Sequence, residues 1–245
     1  MRNAAAVTKG RILLNLGRFA DAGTAVTAVP TAFQLLQEQS QTSRDNAAWS
    51  WINNNRRFTV VDREGGNGLP FISAADPRVP VGPRVANGGF DANVDLYRQL
   101  LYPTRETSFP LITGIEARLI EAEAALQANN TTLFIQKLND PRSASRTIGA
   151  ITVTPAQLPA LTDPGSQTAR VDLLFRERAF WMYLTGHRLG DLRRLIRQYG
   201  RTAETVFPTG AWGGGSGNYG TDVNLPVTQA EENNPAFKGC IDRRA

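Results

Sequence analysis

Apolar residues recur at helical spacing in three stretches of the chain and lose that spacing between them. Ala6, Gly10, Leu13, Leu14 and Gly17 mark one side of a first helix. A tight turn at Gly17-Arg18-Phe19 follows, and Asp21 opens a second helix with Ala22, Ala25, Val26 and Val29 inward until Pro30 stops it. Residues 2–29 therefore predict a helical hairpin. Over 112–128, Ile112, Ile115, Leu119, Ala122 and Leu126 form one stripe, and Ala117, Ile120 and Ala124 form a second. Two stripes predict a helix packed on two sides, with 131–138 as its antiparallel partner. The longest periodic stretch, 169–200, turns Val171, Leu174, Phe175, Ala179, Met182, Gly186, Leu189, Leu192 and Ile196 to one side. Gly186 sits inside it at a cost of about 1 kcal/mol against Ala, so a break is expected at 186–188. Asp172 and Arg176 are spaced for an i,i+4 pair.

Between these stretches the pattern changes. Residues 43–55 predict a short helix carrying Trp49 and Trp51; two apart, they cannot share a face, so one of them is partly exposed. The stretch 56–110 is punctuated by Gly65, Gly66, Gly68, Pro70, Pro77, Pro80, Gly82, Pro83, Gly88 and Gly89, with β-like runs at 58–61 and 79–81. Long helix-free excursions are uncommon in compact domains. Phe58, Phe71, Phe90 and Tyr97 predict an ordered excursion pinned by its aromatics. A connector at 150–167, a flexible loop at 213–217 and an extended piece at 224–227 complete the pass. Thr228 with Glu231 has the form of a helix N-cap, and Pro235 ends that helix. The spacing of Gly10, Gly17, Phe19, Ala22 and Val26, with Pro30 beyond, resembles a tetratricopeptide repeat. One repeat cannot bury its own face, so unlike helices must supply the wall. The fold class expected is all-α, with tetratricopeptide-like hairpins, long irregular loops and minor β, in a single unit: hairpin 1–30, excursion 31–110 and carboxy-terminal region 111–245.

Composition narrows the chemistry. The chain has 245 residues, 41% of them apolar, which is enough for a sizeable core without disulfides or metals. The net charge is +5, but the cations are scattered. The densest cluster, Arg188, Arg193, Arg194 and Arg197, shares a strongly amphipathic helix with Asp191 and lacks interleaved stacking aromatics, so nucleic acid is not an expected partner. The one cysteine, Cys240, excludes an internal disulfide; it is either an inert thiol or the partner of a thiol beyond this chain. One histidine, His187, leaves no multi-histidine metal site, and no cofactor is expected. The longest apolar run falls short of the ~18 residues a membrane span needs, and 1–11 lacks the continuous apolar core of an export signal.

Three segments stand out together. The first is the run from Gly114 to Ala124, with Glu116 and Ala122-Glu123-Ala124, and the helix end Leu138-Asn139…Arg142. The second is Glu177-Arg178 and then Gly186-His187-Arg188-Leu189-Gly190-Asp191-Leu192-Arg193-Arg194. The third is Leu225-Pro226-Val227 followed by Asn234-Pro235, and Asp76-Pro77-Arg78 lies before them. In this order they resemble the SusD/RagB family of outer-membrane nutrient-binding lipoproteins: the first is similar to one family helix, the second to its Glu-Arg…Glu-Gly-x-Arg-x-x-Asp-Leu-x-Arg run, with Thr185 where a Glu is usual, and the third to its closing segment. The resemblance implies a SusD-like α-superhelix that captures oligosaccharide, or less often peptide, and delivers it to a SusC-type TonB-dependent transporter. It also implies an outer-membrane location through a lipid anchor. Family members are longer at the front, so this sequence is expected to be the carboxy-terminal portion, with the anchor amino-terminal to it.

Glu116 and Glu123 lie two helical turns apart, on the order of 10 Å by helical rise, at or beyond the spacing of a glycosidase carboxylate pair. Pairing with arginines of 176–194 is the simpler expectation. Glu116, Glu123, Glu177, Arg188, Asp191 and Arg194 are thus expected to form a structural ionic network, and His187 to be a packed imidazole at the helix break. The loop 213–217 lacks the Gly-Lys-Ser/Thr ending of a phosphate loop. Ligand contact is expected from the aromatics Trp49, Trp51, Tyr97, Trp212 and Tyr219, because flat rings stack on sugar faces while polar groups hold the hydroxyls. Non-catalytic glycan capture is the leading expectation. A helical-repeat interaction scaffold is the alternative, and a carboxylate glycosidase the third.

Overall fold

The computed structural model describes residues 1–212, 217–225 and 227–237. The chain is mostly helical with two small antiparallel sheets. Helices α1 (Arg2–Asn15) and α2 (Phe19–Val26) form the expected hairpin, turning at Gly17 in the left-handed region (φ 72°). A Cβ on Gly10 would lie 2.6 Å from Val26 Cγ1, so the absence of a side chain there sets how closely the two helices pack.

The chain then enters β1 (Gln34–Gln37), which pairs antiparallel with β2 (Phe109–Thr113) in the register Gln34↔Thr113 to Gln37↔Phe109. This ribbon was not expected from the pattern. It closes the base of the excursion, and its bulge between Leu35 and Leu36 lies opposite Pro110, which cannot donate to a ladder. Ile112 accordingly lies in β2 and not in the helix assigned to it. That helix, α3 (Gly114–Gln127), starts two residues later, where the Thr113 hydroxyl accepts from the Glu116 amide at 3.1 Å.

Helix α3 is the centre of the molecule and is buried nearly all round. Ala117 and Ile120 pack with Val7, Leu14, Ala22 and Val26 of the hairpin. Its other side sets Ile115, Leu119, Ala122 and Leu126 among Phe134 and Leu138 of α4 (Thr131–Asn139) and Val171, Leu174 and Phe175 of α5 (Gln167–Trp181). Both stripes are thus used, and the wall that the first hairpin lacks is supplied by an unlike helix. Between α4 and α5 a hairpin of β3 (Arg146–Ile148) and β4 (Ile151–Val153) buries Ile148 and Val153 in the same core.

The break after α5 begins at Met182, earlier than expected, and α6 (Arg188–Tyr199) resumes after it. Gly186 lies in the break with φ 79° and nothing within 4 Å of an added Cβ. It therefore serves the turn and not a close helix approach. The Asp172–Arg176 pair does not form: Asp172 accepts from Arg201 at 2.7 Å, and Arg176 lies over the Phe180 ring. Left-handed Gly200 caps α6, followed by the short α7 (Ala203–Val206) and α8 (Gln229–Glu232). Thr228 does stand at the N-cap of α8, but its side chain makes no capping bond. Residues 213–216 of the glycine loop, Pro226 of the extended piece and Cys240 lie outside the described residues.

The excursion is ordered, but as irregular chain with isolated bridges (Val81↔Gln99, Val85↔Leu96) in place of the two β-runs. Of its four aromatics, Phe71 pins it: its ring lies 5.3 Å from Phe180 and 5.2 Å from Tyr183, in a cluster with Val60, Val79 and Ala179. Tyr97 packs at the edge of that cluster. Phe58 and Phe90, expected as pins, are 61% and 50% exposed.

Candidate functional site

The predicted ionic residues come to rest in separate buried clusters. Glu177, on α5, accepts from Arg78 (2.7 Å) and from Arg142 (2.7 Å), and Asp76 accepts from Arg78 at 2.6 Å. The excursion is therefore held to α5 by charge as well as by Phe71. In a second cluster Asp191 accepts from Arg178 (2.9 Å) and Arg194 (3.0 Å), while Glu123 is bound by Arg194 and by the Tyr199 hydroxyl (2.7 Å). Burial pushes the Asp191 carboxyl up, but the two guanidiniums outweigh it and hold it at about 2.

Two expectations need correction. Glu116 does not pair with the arginines of 176–194; Arg11 of α1 binds both of its oxygens at 2.7 Å, and His187 Nε2 stands 3.3 Å away. Burial acts to raise this carboxyl, and the bonds from Arg11 and His187 prevail and hold it below its ordinary value. Arg188 leaves the Asp191 cluster for Glu64 of the excursion, at 2.6 Å. Neither Arg11 nor Glu64 carries a local sequence signal, since both partners come from parts of the chain more than a hundred residues away. His187 is a partly buried imidazole at the helix break, with Nδ1 2.8 Å from the Thr185 hydroxyl.

Only some of the aromatics meet, on the outer side of the excursion. The π-helical turn Trp49–Asn54 leaves Trp49 partly buried, with the Arg105 guanidinium 5.5 Å from its ring, and Trp51 51% exposed. Trp51 lies edge-on to Phe58 at 6.1 Å, and its carbonyl accepts from the Arg57 amide. Phe58 in turn lines a groove of about 380 Å³ with Phe90, Trp212, Tyr219, Arg57 and Asp91. A second groove of about 540 Å³ shares Thr59 and Val61 with the first and is lined by Tyr97.

The far wall of the groove is a clamped segment. The Asn67 amide donates to the carbonyls of Glu204 (2.9 Å) and Phe207 (2.8 Å), and the Gly66 amide to that of Thr209 (2.8 Å). These bonds fix the approach to a turn in which the Trp212 amide reaches the Gly217 carbonyl and the Tyr219 amide the Gly210 carbonyl. Burial and the nearby charge of Glu64 raise the pKa of the Tyr219 hydroxyl, leaving it a neutral donor.

Of the five aromatics expected at a ligand, Trp212 and Tyr219 line one groove, Tyr97 lines its neighbour, Trp51 backs Phe58, and Trp49 lies apart. Sequence reasoning missed Phe58, Phe90, Arg56 and Arg57 as lining residues. The adjacency Arg56-Arg57-Phe58 is a signal that could have found three of them. Among the described residues no helix is long and apolar enough to cross a membrane. Comparison of the chain with protein-family models, with curated proteins and with solved structures gives no match.

Proposed function

We propose that the protein captures nutrient oligosaccharides without turning them over and hands them to a SusC-type TonB-dependent transporter at the outer membrane, held there by a lipid anchor. The reading joins the motif resemblance to SusD/RagB proteins with one observation, the groove of Phe58, Phe90, Trp212 and Tyr219. Sugar rings present C–H faces that stack on such rings, while Arg57, Asp91 and the Tyr219 hydroxyl are donors and acceptors for the hydroxyls. In this reading α1 to α6 belong to a tetratricopeptide-like superhelix, and the resembling motifs hold it together. The pairing of Glu116 with Arg11 and of Glu123 with Arg194 favours a carrier over a glycosidase, which needs one carboxyl kept protonated.

Native affinity electrophoresis in gels containing single polysaccharides tests this. At least one polysaccharide slows the protein, Trp212→Ala abolishes the shift, and no reducing sugar is released. Unchanged mobility in every gel overturns the proposal, and so does sugar release. One observation favours the interaction-scaffold reading: Ile12 and Leu16 of α1 are 54% and 67% exposed. If that reading holds, Ile12→Ser with Leu16→Ser removes a protein partner, and Trp212→Ala has no effect.

A further inference from the structure

The walls of the groove are unequal in charge. Arg56 and Arg57 line one groove and Arg63 the other, all three exposed; none of them hydrogen-bonds a carboxylate among the described residues, and Arg63 acts on its neighbour Asp62 through charge alone. The Arg57 guanidinium lies over the Phe90 ring, 3.4 Å from its centroid, which orients it without neutralising it. The carboxylates nearby are largely engaged. Asp95 is bound by Arg84 at 2.6 Å, and Asp62 accepts from the amides of Ser73 (2.6 Å) and Ile72 (3.1 Å). Asp91 remains. The buried arginines Arg78, Arg142, Arg178 and Arg194, by contrast, are each paired with carboxylates.

The backbone is strained at the same place. Arg56 (φ 56°) and Ala92 (φ 55°) adopt the left-handed conformation that residues with a side chain disfavour. The Arg56 carbonyl accepts from the Phe90 amide at 3.0 Å, so this bend is what brings Phe90 beside Arg57. A residue with a side chain persists in this conformation where the surrounding structure fixes it, as the Phe90–Arg56 bond does here.

Resting on the capture reading above, we infer that the ligand is an anionic oligosaccharide, bearing carboxylate or sulfate groups, and not a neutral one. The aromatics take the ring faces, and the guanidiniums of Arg56, Arg57 and Arg63 take the acid groups, for which their planar forks are suited. Single-stranded nucleic acid is also held by aromatics and arginines. The capture reading, carried by the motif resemblance, favours the sugar, and nucleic acid is an outcome of the test below.

The test uses affinity electrophoresis and calorimetry with polygalacturonate, chondroitin sulfate, carboxyl-reduced polygalacturonate, dextran and a twenty-residue oligothymidylate. The acidic polymers bind, with affinity falling steeply as salt is raised from low to several times physiological strength. Carboxyl reduction of polygalacturonate weakens binding about tenfold or more, as does Arg56→Gln with Arg57→Gln, while Arg57→Lys retains part of it. Thermal melts confirm that these exposed substitutions leave the fold intact. Equal binding of the neutral polymers, or indifference to the arginine changes, overturns the charge inference and leaves glycan capture standing. No binding to any polysaccharide overturns both. Tightest binding to the oligothymidylate also overturns both and assigns the groove to nucleic acid.

Discussion

The inner and outer sides of the excursion are built from the same residue types and behave in opposite ways. On the inner side Phe71 is buried against Phe180 and Tyr183, and Arg78 is fully satisfied by Asp76 and Glu177. On the outer side Phe58 and Phe90 are at least half exposed, and Arg56, Arg57 and Arg63 hydrogen-bond no carboxylate among the described residues. Burial makes a lone charge costly and an apolar ring favourable, so the inner side has been resolved into closed ion pairs and packed rings. The outer side carries the same groups without closed ion pairs, Arg57 resting on the Phe90 ring and Phe58 on the edge of Trp51, and such exposed groups in a pinned segment are available to a ligand.

The largest expected effect comes from opening an inner pair. Glu177→Ala leaves the buried Arg142 without a carboxylate and Arg78 with Asp76 alone, and should cost about 3–5 kcal/mol, read as a drop in the urea midpoint. If the loss is under about 1 kcal/mol, the inner side is not held by charge and the contrast fails. Asp191→Ala is expected to follow closely, with a sharply lower melting temperature and unchanged glycan affinity per folded molecule. A specific loss of binding in a well-folded Asp191→Ala protein would move that cluster to the functional side.

Acid titrates the same contrast. The Asp191 carboxyl is depressed in the folded state to about 2 from an ordinary 3.8. Its stabilisation is therefore complete above pH ~4 and is lost as pH falls through the folded value. Each tenfold difference in proton affinity between the folded and unfolded chain is worth about 1.4 kcal/mol. Stability should accordingly fall by about 2 kcal/mol between pH ~5 and ~2 on account of this group. Asp191→Asn, measured alongside, isolates its share. A pH profile of equal slope in both proteins removes Asp191 from the explanation.

Gly10→Ala is smaller. The added methyl meets Val26 Cγ1 at 2.6 Å, an overpacking cost of about 1–3 kcal/mol partly offset by the better helix propensity of Ala. A net loss near 1 kcal/mol in thermal melts is expected, and a gain would mean that the hairpin spacing is not set by this contact. The smallest effect on stability is expected at the groove. Trp212→Ala, on a residue 41% exposed, should change stability by no more than about 0.5 kcal/mol while abolishing the polysaccharide shift. A large destabilisation there would make Trp212 a packing residue and dissolve the difference between the two sides.

Much of the helical frame was legible in the order of residues. The two stripes of α3, the hairpin before it, the α4 partner and the α5–α6 break all follow from 3.6-residue periodicity, which a helix needs wherever it buries a face. The small strands were not legible. Gln34–Gln37 finds its partner at Phe109–Thr113, across the whole excursion, and four or five residues carry too little alternation to announce a pairing so distant. The ionic residues were legible as a set but not as pairs. Glu116, Glu123, Glu177, Asp191 and Arg194 are all internal, yet Arg11 and not the 176–194 run answers Glu116, and Glu64 takes Arg188.

The sequence by itself thus determined which residues must be covered and which charges must be answered, because periodicity and desolvation act along the chain. Only the tertiary structure decided which distant group answers each one. It also decided that Phe71 turns inward while Phe58 and Phe90, alike in sequence, turn outward to meet Trp212 and Tyr219. The physical reason is that a side chain's partner across a long irregular excursion depends on where the chain returns. That return is set by the β1–β2 ribbon and the Arg78–Glu177 contact, neither of which has a local signature.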